Sequence, residues 1–535
     1  MDEKTPNRVF QTNQKTGVVY VYEDHPYWDP DKQQSRSKRK CVGKLDSETG
    51  DTVATRGRKP KERQNEGGID VARKGFAHKY CGATHLLDCI GKATGVFEDL
   101  KKCFPETYKQ ILSVAYYLVM EDQNPMYRFE KWGILHRHPY GKDISSQDSS
   151  DLFASITSNE QHDFFRLQAR RRVEKECWAY DTTTISSYSE TLRQVQYGKN
   201  KEHDDLPQLK LLLLFGERSG LPFYYRKLAG NTPDSKTVWN LLADLDWLGC
   251  KKVKLVMDRG FYKEGNINDF YRSHVKFLIG GKISLDIVRN ALESAYEKIR
   301  SFENYSSNHD VYAYTAPTEW NYTQERPYKK DILKEKRRIY VHLYYNIEKA
   351  ADDERKTDRL LSALQEELLS GKLVDAHAKQ YEKYFSVKRT PKRGVHITPK
   401  NDAIQKAKRY YGYFSLLTNE RIDALTALVL YRLKDVVEKA FGNLKERLNG
   451  RRQYVSSELS LDGKMFVEFV ALIYLSYIHK RMNDEKIYAK YTLNEMLDKL
   501  DIIECFETPG KRTRYSEITE KQRDLFSAFG FSPPR

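Results

Sequence analysis

The sequence predicts an α/β protein: a mixed sheet flanked by helices, interrupted by an insertion and preceded by a basic hairpin and a helical segment. Three observations predict it. Over residues 176–283, apolar β-branched runs and amphipathic stretches follow the order strand, strand, strand, helix, strand, helix, strand. A charged segment over 284–407 breaks that alternation, which resumes at "YGYFSLLTN". Upstream, over 71–172, apolar residues recur every three or four positions, the spacing of one helix face.

Taken in order, residues 1–65 hold the run "VVYVYEDHPYW", a polar Asp-Pro-Asp turn and a second arm rich in Lys and Arg. That arm carries Lys38, Arg39 and Lys40, and a Gly/Pro/charge linker follows it. The linker contains "TRGRKP" over 55–60, where Arg56 and Arg58 flank a glycine as in a minor-groove arm. A plain basic linker explains it equally well. Residues 66–175 read as an all-α segment suited to DNA binding or dimerisation. Residues 176–283 read as the first part of an α/β core. They include a helix with Thr232 as N-cap, Pro233 at its first position and Val238, Leu241, Leu242 and Leu245 on one face. Residues 284–407 are the insertion and 408–482 the second part of the core. The second part contains "RIDALTALVLYRLKDVVEKAFGNLKERL", read as one long helix. A helical segment over 483–535 closes the chain.

Composition narrows the function. Among 535 residues, 91 Lys and Arg face 75 Asp and Glu, a formal net charge of +16, which favours a polyanionic partner such as nucleic acid. The longest apolar stretch, "FVEFVALIYLSYI", is too short to span a bilayer and contains a glutamate, so it reads as a buried helix. Seven cysteines in a chain this long exclude a disulfide scaffold and fit a reducing, cytoplasmic setting. His78, Cys81, His85 and Cys89 have a spacing that one helix face also produces, and are read as structural rather than zinc-binding. Asn231 and Asp234 are read as turn and cap residues, and Trp320 as a packing residue.

Three carboxylates stand where phosphoryl chemistry needs them. Asp181 lies within the first core strand. Asp258 ends a later strand, beside Arg259, at the edge where open α/β sheets build sites. Glu438 lies on the long helix. There Tyr431, Lys434, Glu438 and Lys445 are offset by 0, 3, 7 and 14 residues. At about 100° per residue all four fall within an arc of roughly 60°. Val437, Phe441, Leu444 and Leu448 form the adjoining apolar stripe. Three converging carboxylates repel one another unless cations join them. Two Mg²⁺ ions, or Mn²⁺, suit such hard oxygen ligands and in-line phosphodiester displacement. The flanking Lys and Tyr side chains would then hold DNA phosphates.

These residues carry a resemblance. Tyr431-x2-Lys434-x3-Glu438-x6-Lys445 resembles the Y-x2-R-x3-E-x6-K signature of the YREK class of bacterial insertion-sequence DDE transposases, the Tn5-like group. "YDTTTIS", with Asp181, resembles that family's first catalytic block, and "VMDRGFYKEGNI", with Asp258, its second. Lys434 departs from the family's arginine: it keeps the charge but lacks the bidentate fork. The resemblance implies an RNase H-like fold with an insertion domain before the glutamate helix. It implies a catalytic and metal-binding triad of Asp181, Asp258 and Glu438. It further implies cut-and-paste transposition on double-stranded transposon ends and target DNA by a homodimer, in bacterial cytoplasm at the nucleoid. Tyr431, Lys434, Lys445 and Arg259 are the expected DNA contacts of the core, and Lys38, Arg39, Lys40, Arg56 and Arg58 those of the N-terminal segment. Two alternatives stay open: a metal-dependent nuclease that cuts without joining, and a non-catalytic DNA-binding descendant.

Overall fold

The computed structural model describes residues 7–13, 18–29, 34–46, 52–53, 77–122, 124–171, 178–187, 193–198, 206–249, 253–326, 328–390, 394–448, 452–453 and 457–535. The chain divides into two compact units, Met1–Gly75 and Phe76–Arg535.

In the first unit, strands Asn7–Thr12, Val19–Asp29, Gln34–Leu45 and Thr52–Val53 form an antiparallel four-stranded sheet. The hairpin read from the sequence is its central pair, and the register sets Asp24 opposite Arg39. Arg39 also lies 3.4 Å from the Asp24 carboxylate.

The second unit is mixed α/β. Its largest sheet has ten strands among the described residues: β1 Trp178–Ser187, β2 Gln208–Gly216, β3 Pro222–Ala229, β4 Lys254–Met257, β5 Lys276–Gly281, β6 Tyr305–Ser306, β7 Val311–Arg326, β8 Asp331–Tyr345, β9 Tyr413–Thr418 and β10 Arg452–Gln453. Their order across the sheet is β6-β7-β8-β9-β5-β4-β1-β2-β3, with β10 beside β1. β3, β2 and β1 run as an antiparallel meander, whereas β1, β4 and β5 are parallel. β4 and β5 are short and, after a lysine at the start of each, apolar ("KLVM", "KFLIGG"), as strands covered on both faces must be.

The 284–407 segment supplies β7 and β8, which join the same sheet through β9. It also holds a separate small core of Leu364, Leu368, Tyr381, Tyr384 and Phe385 around the helix Ile347–Ser370. Helices from Gly82–Thr94 to Ser158–Arg170 surround the 27-residue helix Glu458–Asp484, in which Phe466 sits 5.0 Å from Phe104 and 5.3 Å from Phe164, ring to ring. This helix carries the stretch "FVEFVALIYLSYI", and Lys464 approaches its buried glutamate, Glu468, at 3.7 Å. Among the described residues, no helix is long and apolar enough to cross a membrane.

Two expectations are corrected in detail. The helix after β3 begins at Asp234 with Pro233 as its N-cap, so Thr232 lies outside it. The long helix is not continuous. It breaks into Ala424–Arg432 and Asp435–Gly442 and ends in a π-helical turn, Asn443–Arg447. At the break, Lys434 N–H bonds the Tyr431 carbonyl and Val437 N–H bonds the Lys434 carbonyl, tight three-residue steps that turn Lys434 inward. The apolar stripe survives: Val437, Phe441, Leu444 and Leu448 are all buried.

Candidate active site

The parallel register builds the site. Tyr180 of β1 pairs with Met257 of β4, so the next residue of β1, Asp181, stands level with Asp258, which leaves the end of β4. Asp181 is held locally, its Oδ1 accepting the Thr182 N–H at 2.7 Å. Asp258 starts a tight turn, Arg259–Phe261, that places the Arg259 guanidinium beside it in sequence and exposes it.

The helix after β9 closes the site from the other side. The Tyr431 hydroxyl donates to Asp258 Oδ1 at 2.8 Å. Lys434 is buried, yet its Nζ lies 2.9 Å from Glu438 Oε1 and 3.7 Å from Asp258 Oδ1. One ammonium thus bridges the second and third expected carboxylates. Glu438 itself faces solvent, with 58% of its side chain exposed.

The protonation states follow from this geometry. Burial alone would raise the Asp258 carboxyl, but the Lys434 charge and the Tyr431 and Arg259 hydrogen bonds outweigh it and hold the group below its usual range. Burial, then the Asp258 charge, pushes the Tyr431 phenol far up, so it remains a donor. Burial would lower the Lys434 ammonium, but the Glu438 hydrogen bond and the Asp258, Glu438 and Asp181 charges raise it. Lys434 therefore stays cationic.

Gly280 makes the contact sterically possible. It occupies β5 next to the Asp258 turn, and a Cβ there would stand 2.9 Å from the Tyr431 hydroxyl oxygen and 3.0 Å from the Arg259 nitrogen. Any larger residue would push the phenol off Asp258.

A further layer escaped sequence reading. Asp234 does not cap its helix. Its Oδ1 instead accepts hydrogen bonds from Thr182 Oγ1 at 2.8 Å and from the buried Lys210 Nζ at 2.7 Å. The Tyr180 hydroxyl pairs with Thr237, one turn further on. Asp234 thus anchors the residue that follows Asp181. The only sequence signal for this was a lone Lys inside the apolar β2 run "QLKLLLLFG", a charge that must be paired once buried.

The remaining candidates divide. Lys445 sits half-exposed on the π-helical turn, so the uniform 100° arc does not describe its bearing. Arg39 is exposed on the N-terminal sheet, while Lys38 and Lys40 share its strand but their side chains lie outside the described residues, as do Arg56 and Arg58 altogether. Trp320 is buried, its indole donating to Asn268 at 2.8 Å. His78 lies on a strand rather than a helix and bonds Glu504, and His85 bonds the Ser532 carbonyl.

Among the described residues, no three His, Cys, Asp or Glu side chains converge closely enough to hold a metal ion. The chemistry of the site nevertheless fits a hard divalent cation: its donors are carboxylate oxygens, and the Lys434 ammonium marks a point between two of them where positive charge is retained.

Residues 172–474 match the family model described as "Transposase DDE domain", more than half of the chain. No curated protein matches significantly. Among solved structures, the chain is similar to the cryo-EM structure of the piggyBac transposase synaptic complex with hairpin DNA. The identity is 9% and the TM-score 0.36, over 74% of this chain and 70% of that one.

Proposed function

Since the chain belongs to the transposase DDE-domain family, we propose that it catalyses cut-and-paste DNA transposition of the YREK-signature type, with Asp181, Asp258 and Glu438 as the catalytic carboxylates. The observation that carries this reading is the Tyr431–Asp258–Lys434–Glu438 chain of contacts, which joins signature residues from a distant helix to the end of β4. The meander β3-β2-β1 followed by parallel β4 and β5 supports an RNase H-like core, with 284–407 as its insertion.

DDE enzymes generally use divalent cations. Asp181, Asp258 and Glu438 would hold two such ions, Mg²⁺ or Mn²⁺, which when bound supply Lewis-acid stabilisation of the phosphorane-like transition state. The chain's own residues do the rest. The Lys434 charge, and then the Tyr431 hydrogen bond, keep the Asp258 carboxylate ionised, and that hydrogen bond fixes its rotamer. Lys434, charged and shielded from solvent, offsets the repulsion between Asp258 and Glu438 and is placed to swing onto a DNA phosphate once other cations reach the carboxylates. Arg259 and Lys445 flank the scissile strand. Water first attacks the phosphodiester at the element end, leaving the phosphate on the flanking 5′-end and freeing the element's 3′-hydroxyl. That hydroxyl attacks the opposite strand and displaces the flank's 3′-hydroxyl, water reopens the hairpin so formed, and the 3′-end then attacks a target phosphodiester in line and displaces the target's 3′-hydroxyl. Each step presents the same trigonal-bipyramidal phosphorus to the same residues. The N-terminal basic segment, with Lys38, Arg39, Lys40, Arg56 and Arg58, and the helical segment contribute end recognition, and two chains pair two ends.

The test is incubation with duplex DNA carrying the repeats that flank its own coding sequence, a supercoiled target and Mg²⁺, followed by sequencing. Cuts at the repeat ends with joined products, both lost in Glu438→Gln, are expected. Hydrolysis without joining would favour a nuclease. Wild-type and Glu438→Gln proteins behaving alike would contradict the proposal.

A further inference from the structure

Far from the carboxylates, β7 and β8 continue past their last sheet neighbour as a two-stranded ribbon. They pair without a break from Tyr312–Tyr345 to Arg326–Asp331. Only the stretch from Tyr340 to Tyr345 of β8 has a second strand neighbour, β9. From Tyr340 to Asp331, nine residues back along β8, the pair has no further strand neighbour among the described residues, an extension of about 30 Å at 3.3 Å per residue whose inner face rests on the helices Glu264–Arg272 and Asp286–Ile299. An isolated two-stranded ribbon is marginal by itself. This one is braced along its inner face as far out as Thr323, opposite Lys334: Tyr322 is buried, Arg337 stacks on it at 4.0 Å, and Asn268 bonds both Trp320 and Thr323.

Its outer part is basic and open. Three of its four acids are matched within it: Arg326 pairs with Asp331, Lys336 with Glu319 and Arg337 with Glu335. Among the described residues, Lys329, Lys330, Lys334 and Arg338 have no ion-pair partner, and all four are exposed. Lys334 and Arg338 lie on one face of β8 with Lys336 between them, a cation every second residue, or about 7 Å. Tyr328 stands fully exposed in the turn beside Lys329 and Lys330. A soluble surface gains nothing from an extended arm that strings unpaired cations behind an exposed phenol, unless a polyanion lies against it. A two-stranded ribbon is also one of the shapes that fit the major groove of duplex DNA.

The direction of the arm is fixed by register. Val256, Leu278, Thr418 and Tyr340 form one row across β4, β5, β9 and β8. Asp258 lies two residues to one side of that row and Asp331 nine residues to the other. The turn is therefore about 35–40 Å from the catalytic edge, or roughly 10–12 base pairs of B-form DNA.

We propose that this ribbon is a second duplex-DNA contact, gripping the element-end DNA about one helical turn from the cleaved phosphate through Lys329, Lys330, Lys334 and Arg338. The proposal rests on the transposase reading for the identity of the polyanion, but its geometry is independent of the carboxylate site.

Two measurements test it in the full chain. Fluorescence anisotropy with a labelled end duplex, across a salt series, compares the wild type with the variant Lys329→Ala/Lys330→Ala/Lys334→Ala/Arg338→Ala. Four lost phosphate contacts lower the slope of log K against log salt by about 3–4, and a variant that swaps Lys and Arg at the same sites restores it. A photo-crosslinking amino acid in place of Tyr328 should mark the duplex about 10–12 base pairs from the cut. Wild type that binds and cuts, with an alanine variant of unchanged affinity and slope, overturns the ribbon proposal alone. So do crosslinks confined to the cut site. Wild type that neither binds nor cuts the duplex overturns the transposase reading and the ribbon proposal with it.

Discussion

Neutralising Asp234 should unsettle the site from behind. In Asp234→Asn the Thr182 hydroxyl keeps an acceptor, but the Lys210 ammonium, 2.7 Å away and with 7% of its side chain exposed, loses its counter-charge. The gross attraction at that distance is about 6 kcal/mol at an effective dielectric constant of 20. Most of it offsets desolvation, and breaking one partner of a buried pair typically costs 3–5 kcal/mol. Asp234 is 28% exposed, so water relieves part of the loss and the expected cost is about 2–3 kcal/mol. Lys210→Met alone leaves a half-solvated carboxylate and should cost less, about 1–2 kcal/mol. The double variant should then be far more stable than the sum of the two, with a coupling of at least about 1.5 kcal/mol. Urea unfolding followed by tryptophan fluorescence measures all four proteins. DNA cleavage should fall at least about tenfold in Asp234→Asn even where the protein is fully folded, because the acceptor that holds Thr182 beside Asp181 is itself no longer held in place by Lys210. A cost under about 0.5 kcal/mol, or strict additivity, would refute the reasoning.

Other outcomes follow from the same geometry. Gly280→Ala should displace Tyr431 from Asp258, lowering stability by about 1–3 kcal/mol through overpacking and cleavage by at least about tenfold. A matched loss in Tyr431→Phe would confirm the route. Lys434→Met should lower stability in divalent-free buffer by about 1–3 kcal/mol, whereas Glu438→Gln, altering an exposed partner, should change it by less than about 0.5 kcal/mol. Equal effects of the two would contradict Lys434 as the buried member. Acid should destabilise the fold through His342. Burial, against the weaker pull of Asp423, lowers its imidazole to about 4, while the unfolded value is near 6.5. The folded state therefore holds it neutral. Its contribution is complete above about pH 6.5 and is lost as pH falls toward 4, roughly 2–3 kcal/mol between pH 7 and 4.5. Urea midpoints at those two pH values should differ less in His342→Asn than in the wild type.

The parts of the fold legible in the sequence are those governed by local pattern. Period-two and period-3.6 hydrophobicity marked β1 to β5 and the helix after β3, and the apolar stripe of Val437, Phe441, Leu444 and Leu448 fixed which side of the Glu438 segment packs inward. The signature spacing brought Tyr431, Lys434 and Glu438 together on paper, and in the structure Tyr431 and Lys434 both reach Asp258. They do so, however, through a break at Lys434 that no propensity signals, because nothing but Leu433 and Lys434 themselves, both ordinary helix formers, stands there. The π-helical turn that re-aims Lys445 was equally silent. Asp234 looked like a cap because its position at a helix start suits one. Its real partners, Thr182 and Lys210, lie 52 and 24 residues away, and only the folded meander brings them together. Within 284–407 the strand-like run "RRIYVHLYYNI" marks the inner part of β8, and Tyr340–Tyr345 of that run pair with β9 in the main sheet.

Manganese titration followed by electron paramagnetic resonance tests the central claim most directly, since it counts ions without depending on DNA. Wild-type protein should take up two Mn²⁺ per chain, with Asp181→Asn, Asp258→Asn and Glu438→Gln each losing at least one while keeping their far-ultraviolet circular dichroism. Unchanged Mn²⁺ uptake across all three folded variants would show that these carboxylates do not form a shared cation site.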